Sequence, residues 1–263
     1  MKKNHTTDVG FFAKYRTRLL RLRGNLVKLF GYGFHAFFPK KRYALPAGDS
    51  PSLNNEDNQL IPKKVWQTNF SEMCTLPMFL NFKHNRSLSP DFEYHYVSTE
   101  DRDAYVKAHS SERVYSAFKR LTDGAAQADL WRLLVLYNEG GVYMDIDATL
   151  VKPLSQSLNS NEQVFIKNKE GFTNFFLATT PKSELFLEFL EKVVSNIENY
   201  SPDENKTVFD VTGPGALLSV LESKELCYQP QQSICIQGAF TNEHFQYMDR
   251  PRSKWTYKKT FIK

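Results

Sequence analysis

Cysteine is scarce in this chain: Cys74, Cys227 and Cys235 are the only three in 263 residues, and no two form a CxxC pair. An odd count without that spacing argues against a disulfide framework and leaves free thiols in a reducing compartment as the reading. Long apolar runs are lacking too. Crossing a bilayer takes roughly 18 apolar residues, and the uncharged stretch over 29–39 is short and broken by Gly31 and Gly33. Arg21, Arg23 and Lys28 interrupt what would be the apolar core of a cleavable signal peptide. There is no internal repeat and no low-complexity tract. Basic charge is scarce beyond the start: residues 1–50 hold 11 Lys/Arg against 2 Asp/Glu, whereas 51–263 hold 23 against 27. The formal +5 therefore belongs to the first segment and implies no nucleic-acid partner for the rest.

What is present is globular: 41% hydrophobic and 24% charged residues, with 21 Phe and 13 Tyr for an aromatic core. The pattern divides the chain into a basic amphipathic segment, 1–50, and a catalytic-size domain, 51–263. In the first, Phe12, Tyr15, Leu19, Leu22, Leu26 and Leu29 fall on one helical face. Lys14, Arg18, Arg21 and Lys28 lie opposite, with Arg16 and Arg23 near the boundary. Such a helix can lie in an anionic membrane surface, which would make the protein cytoplasmic and peripheral on the inner face of the cell membrane. The competing readings are a helix packed on the domain and a partly disordered leader. Ala44–Pro51 and the polar run to Gln59 read as a linker.

Beyond it, strands are predicted at Ile61–Thr68, Phe92–Val97, 142–147, Val164–Ile166 and Phe175–Ala178. Helices are predicted from Thr99 (as N-cap) to Ala108, at 112–121, 125–138 and Ser183–Ile197, and after Thr212-Gly213-Pro214-Gly215. Strands alternating with helices indicate an α/β sandwich with a mixed, mostly parallel sheet.

The most informative stretch is Ala125–Asp147, AAQADLWRLLVLYNEGGVYMDID. It combines an amphipathic helix, a Gly-Gly turn and an apolar strand that ends in two carboxylates. Alternation along a strand puts Tyr143, Asp145 and Asp147 on one face. Asp145 and Asp147 so placed suit a hard divalent cation that also takes phosphate oxygens. The other Asp-x-Asp, Asp101-Arg102-Asp103, sits among charges and reads as a solvated cluster. Asp129 and Arg132 share a helical face at i and i+3.

Two blocks carry a resemblance to a known family. They are Ile61-Pro62-Lys63 with Val65-Trp66-Gln67-Thr68, and Asp129-Leu130-Trp131-Arg132 through Gly140-Gly141-Val142-Tyr143-Met144-Asp145-Ile146-Asp147. They resemble glycosyltransferase family 32, with fungal α-mannosyltransferases and bacterial capsule and lipopolysaccharide enzymes among its members, and more distantly the large clostridial glucosylating toxins. The resemblance implies a GT-A fold and retaining transfer of a hexose from a UDP- or GDP-sugar, with Mn²⁺ or Mg²⁺, to a glycan or lipid-linked acceptor, in bacterial surface-polysaccharide synthesis. It implies that Trp66 stacks on the nucleobase, that Asp129 and Arg132 hold sugar and diphosphate, and that Tyr143 borders the donor. Asp145 would contact ribose and water-bridged metal, and Asp147 would ligate the metal directly. His244 or Ser253 would complete the metal shell, Trp255 would reach the diphosphate, and Asn174 would approach the donor sugar.

Other readings of the same residues are an effector that glycosylates proteins, a metal-dependent phosphohydrolase and a membrane-binding module. The phosphohydrolase needs further clustered ligands, and after Asp147 the only aspartates are Asp203, Asp210 and Asp249.

Overall fold

A computed structural model describes residues 10–53, 59–158, 161–222, 224, 226, 228–251 and 260–263. Ser253 and Trp255, along with Cys227, lie outside the described residues. Eleven short strands are described: β1 (Tyr43–Ala44), β2 (Gly48–Asp49), β3 (Lys64–Thr68), β4 (Met73–Cys74), β5 (Glu93–Val97), β6 (Gly141–Met144), β7 (Ala148–Leu150), β8 (Gln163–Lys167), β9 (Phe172–Thr179), β10 (Tyr228–Pro230) and β11 (Cys235–Gln237). The α-helices are α1 (Phe11–Phe37), α2 (Leu76–Leu88), α3 (Thr99–His109), α4 (Glu112–Arg120), α5 (Gly124–Glu139), α6 (Leu154–Leu158), α7 (Glu184–Glu198), α8 (Val208–Val211), α9 (Pro214–Leu221), α10 (Gln231–Ile234) and α11 (Glu243–Gln246).

Seven strands form the main sheet in the order β10-β8-β9-β6-β3-β5-β2. The pairs β10/β8, β6/β3 and β3/β5 are parallel, while β9 is antiparallel to both its neighbours and β2 is antiparallel to β5. The sheet is thus mixed, with five of its seven strands running one way. β7 and β11 form a separate antiparallel ribbon, and β1 pairs with β4.

Both faces of the sheet are buried, which explains its apolar strands. On one face Trp66, Tyr143, Phe165 and Leu177 pack with Leu130, Leu134, Phe186 and Phe189 of α5 and α7. On the other, Val65, Tyr94, Val142, Met144 and Phe176 pack with Met78 and Phe82 of α2. Strand alternation thus divides neighbouring residues between two cores.

Several boundaries differ from expectation for local reasons. Ser98, not Thr99, caps α3: its hydroxyl accepts from Asp101 N, and Asp101 returns a bond to the cap. The stretch expected as a linker supplies β1 and β2, and the latter adds an edge to the sheet through Tyr94 and His95. β6 ends at Met144, so Asp145 and Asp147 lie in the turn to β7, closed by Ala148 N donating to Asp145 O at 2.9 Å. Cys74 and Cys235 are buried free thiols.

Candidate active site

α5 is fixed at both ends. The Asp123 carboxylate accepts from Ala125 N at 2.8 Å and Ala126 N at 3.2 Å, satisfying two otherwise orphaned donors. At the other end Gly140 and Gly141 adopt φ of +66° and +97°, where a side chain would also collide with Pro181 and Lys64. This turn reverses the chain into β6, so Asp129 and Arg132 on the helix face the carboxyl end of the strand. There β3, β5 and β6 all terminate, which is where open α/β sheets bind ligands. A cleft of about 920 Å³ opens at that edge, lined by Asp129, Arg132, Tyr143, Asp145, Asp147 and Asn174, among others.

Within it the expected residues meet. Asp129 and Arg132 form a buried ion pair at 2.9 Å. Asn174 Nδ2 donates to Asp129 Oδ1 at 3.1 Å, and Thr212 Oγ1 donates to Asp129 Oδ2 at 2.9 Å. Arg132 donates to Asn174 O at 2.8 Å and Ala128 O at 3.3 Å, and its guanidinium lies 4.3 Å over the Tyr143 ring. The Tyr143 hydroxyl donates to Asp145 Oδ1 at 2.7 Å, and Arg132 stands 3.6 Å from the same oxygen. Burial pushes the Asp129 carboxyl up to about 6, despite Arg132, Thr212 and Asn174. Burial also raises Asp145 and Asp147, and the Asp145 charge raises Asp147 further. Two carboxylates whose charges disfavour each other in this way gain most from a positive partner.

Other expected residues do not join them. Trp66 is only 8% exposed, stacks on His95 at 4.3 Å and donates Nε1–H to Gly140 O at 2.9 Å. It is a core residue beneath the α5–β6 turn and does not line the cleft, so it has no free face for a nucleobase. His244 is exposed on α11, lies against Tyr32 of α1 at 5.1 Å and is not among the residues lining the cleft. Among the described residues no group of three or more His, Cys, Asp or Glu gathers to hold a metal. The later aspartates serve elsewhere: Asp210 closes a capping box with Thr207, and Asp249 pairs with Arg42.

Three cleft residues escaped the sequence reading. Gln237 Nε2 donates to both carboxylates, at 3.3 Å to Asp145 Oδ2 and 3.1 Å to Asp147 Oδ1. Phe70, just past β3, lines the cleft with Arg250 4.6 Å over its ring. Arg102 is not solvated: it is 3% exposed, lines the cleft, donates to Gly124 O and Thr99 Oγ1, and leaves Nε without a partner among the described residues.

Comparison with known proteins gives the cleft a context. Residues 78–165 match the model of the glycosyltransferase sugar-binding region containing a DXD motif. The chain is 27% identical over 150 residues to the initiation-specific alpha-1,6-mannosyltransferase of Candida albicans, covering 51% of this chain and 38% of that protein. It is 23% identical over 172 residues to a mannosyl phosphorylinositol ceramide synthase of Saccharomyces cerevisiae, covering 64% and 44%. The chain thus spans less than half the length of these relatives. Among solved structures, the PaToxG glycosyltransferase superposes with a TM-score of 0.49 at 17% identity, over 80% of this chain and 79% of that one. Over residues 78–165 this protein is therefore similar to the glycosyltransferase sugar-binding region that contains a DXD motif.

Proposed function

We propose that this protein transfers a hexose from a nucleoside-diphosphate sugar to a hydroxyl of a glycan or lipid-linked acceptor, with retention at the anomeric carbon and with Mn²⁺ or Mg²⁺. The observation that supports this reading most is the convergence of Asp129, Arg132, Asp145, Asp147 and Asn174, from α5, the β6–β7 turn and β9, in one cleft. The relatives named above act in mannosyl transfer by their names, which fits a GDP-hexose donor. They are fungal, and so lend no support to a setting in bacterial surface polysaccharide.

The oxygen-rich pair fits a hard divalent cation: Asp145 and Asp147 face the neutral amide of Gln237, a donor that a cation can replace. When bound, the cation supplies positive charge to the donor diphosphate and so eases its departure. Arg132 and Arg102 add fixed positive charge from the same cleft. Arg132 is held by its bonds to Asp129 and two carbonyls, so it needs little reorganisation as charge grows. Arg102, buried with one N–H unused, suits a phosphate or base oxygen.

Asp129 Oδ1 already accepts two bonds and Oδ2 accepts one from Thr212, which leaves one lone pair for a sugar hydroxyl. So engaged, Asp129 is a binding group and a poor nucleophile. A double displacement would need a free carboxylate beside the anomeric carbon. The acceptor hydroxyl therefore attacks on the face the diphosphate leaves, and its proton passes to the departing oxygen. Phe70 takes the stacking role that Trp66 cannot fill. Nucleoside-diphosphate release from a panel of UDP- and GDP-hexoses, with and without EDTA, tests the proposal. Cation-dependent release from one donor supports it, and no release from folded protein with any donor contradicts it.

A further inference from the structure

α1 docks on the domain by its small face and leaves its apolar face in solvent. The helix is 27 residues long, about 40 Å at 1.5 Å per residue. Its buried residues are Thr17, Leu20, Gly24, Gly31 and His35. Thr17 Oγ1 donates to Gln232 O at 3.1 Å, Leu76 N donates to His35 Nε2 at 3.1 Å, and Lys28 reaches Gly238 O at 3.3 Å. A side chain at Gly24 would run into the Ala239 carbonyl, and one at Gly31 into Pro77.

The opposite face carries Phe12, Leu22, Leu26, Leu29, Phe30 and Phe37, between 60% and 82% exposed. At 3.6 residues per turn they fall on the side away from Gly24. Cationic rows border this stripe, Lys14, Arg18 and Arg21 along one edge and Arg16 and Arg23 along the other. An apolar stripe of this length is not a surface that stays in water.

We propose that α1 is an in-plane anchor for an anionic lipid surface, with its apolar stripe among acyl chains and its flanking cations at the headgroup phosphates. Charge selects this occupant. Two copies of α1 packed stripe to stripe would bring like-charged rows together, whereas anionic lipid complements both rows at once. No described helix is long and apolar enough to cross a membrane, so the helix lies along the surface. The protein side of α1 rests on the segment from Gly238 to Phe245, and Glu243 of that segment and the adjoining Gln237 line the cleft. One helix diameter, about 10 Å, thus separates lipid from the cleft wall. This inference does not depend on what the cleft catalyses.

Flotation of the full chain with vesicles of phosphatidylcholine, with and without phosphatidylglycerol, tests it. The wild type is expected to float with anionic vesicles, about tenfold less with neutral ones, and less as salt rises. Leu22→Glu with Leu26→Glu should lower flotation about tenfold while leaving the melting temperature and the nucleotide-induced thermal shift unchanged. Arg18→Glu with Arg21→Glu, both exposed on α1, should remove the preference for anionic vesicles, and serves if the first variant fails to fold. Wild type that stays unbound with anionic vesicles overturns the proposal, as does a folded Leu22/Leu26 variant that floats like wild type. A wild-type dimer that this variant dissolves also overturns it, in favour of a second copy.

Discussion

Gln237 bridges the carboxylate pair from a strand 90 residues away in sequence, its amide donating to Asp147 Oδ1 at 3.1 Å while also reaching Asp145. A neutral donor thus stands where the two negative groups most need a positive one. Gln237→Glu would put a third carboxylate there. Like-charge repulsion should lower stability without cation by about 1–3 kcal/mol, and Mn²⁺ should restore more of it than in wild type. Melting curves with and without Mn²⁺ check this, and an unchanged Mn²⁺ shift would count against a cation between these carboxylates.

The Asp129–Arg132 pair is buried on both sides and shared with Asn174 and Thr212. Removing one partner strands the other charge out of water. Arg132→Ala should destabilise the fold by about 3–5 kcal/mol, whereas Asn174→Ala should cost about 1 kcal/mol and weaken donor binding. Chemical denaturation and donor KM separate the two effects.

Stability should depend on pH with a definite sign. Asp129 titrates at about 6 in the folded protein and at 3.8 when unfolded, because burial disfavours its charge. Between about pH 4 and pH 6 the folded state retains a proton that the unfolded state has lost, so stability present at the acid side is lost as pH rises. Asp145 and Asp147 shift in the same direction. A divalent cation competes with these protons, so the stabilisation by Mn²⁺ should grow across the same window. Melting temperatures on a pH series, with Mn²⁺ and with EDTA, measure both trends.

Trp66 and Phe70 separate stability from binding. Trp66→Phe removes the bond to Gly140 O and should cost about 1–3 kcal/mol, with donor KM unchanged. Phe70→Ala should raise donor KM and leave the melting temperature near wild type. The reverse outcome would return the nucleobase to Trp66.

The legible parts of this molecule were local. The capped helix from Gly124, the Gly140-Gly141 turn and the apolar periodicity of α5 and α7 all carry short-range signals, and they place Asp129, Arg132 and the Asp145–Asp147 turn together. Alternation misled for the turn, because β6 stops at Met144 once Asp145 N bonds Phe175 O and the chain bends into β7. Trp66 is core because its ring lies beneath the α5–β6 turn, bonded to Gly140 O, while β3 lines the cleft only from Thr68 onward. Gln237 had no local signal, since its role depends on the ribbon of β7 and β11. The charge around Arg102 hid its burial, although Ser98 and Asp101 spelled a capping box that starts the helix one residue early. For α1 the reading of a helix packed on the domain holds, because Thr17, Gly24 and Gly31 supply a second, smaller face opposite the apolar one, whose covering is a matter for the flotation experiment.

Sugar transfer should depend on a cation held by Asp145 and Asp147. Nucleoside-diphosphate release by Asp147→Asn, measured beside wild type in Mn²⁺ and in EDTA on the donor that wild type uses, tests it most directly. The variant should stay folded, lose its Mn²⁺-induced thermal shift and turn over about 100-fold more slowly or less, as wild type should in EDTA. Near-wild-type turnover by the folded variant, or turnover by wild type that EDTA leaves unchanged, would contradict it.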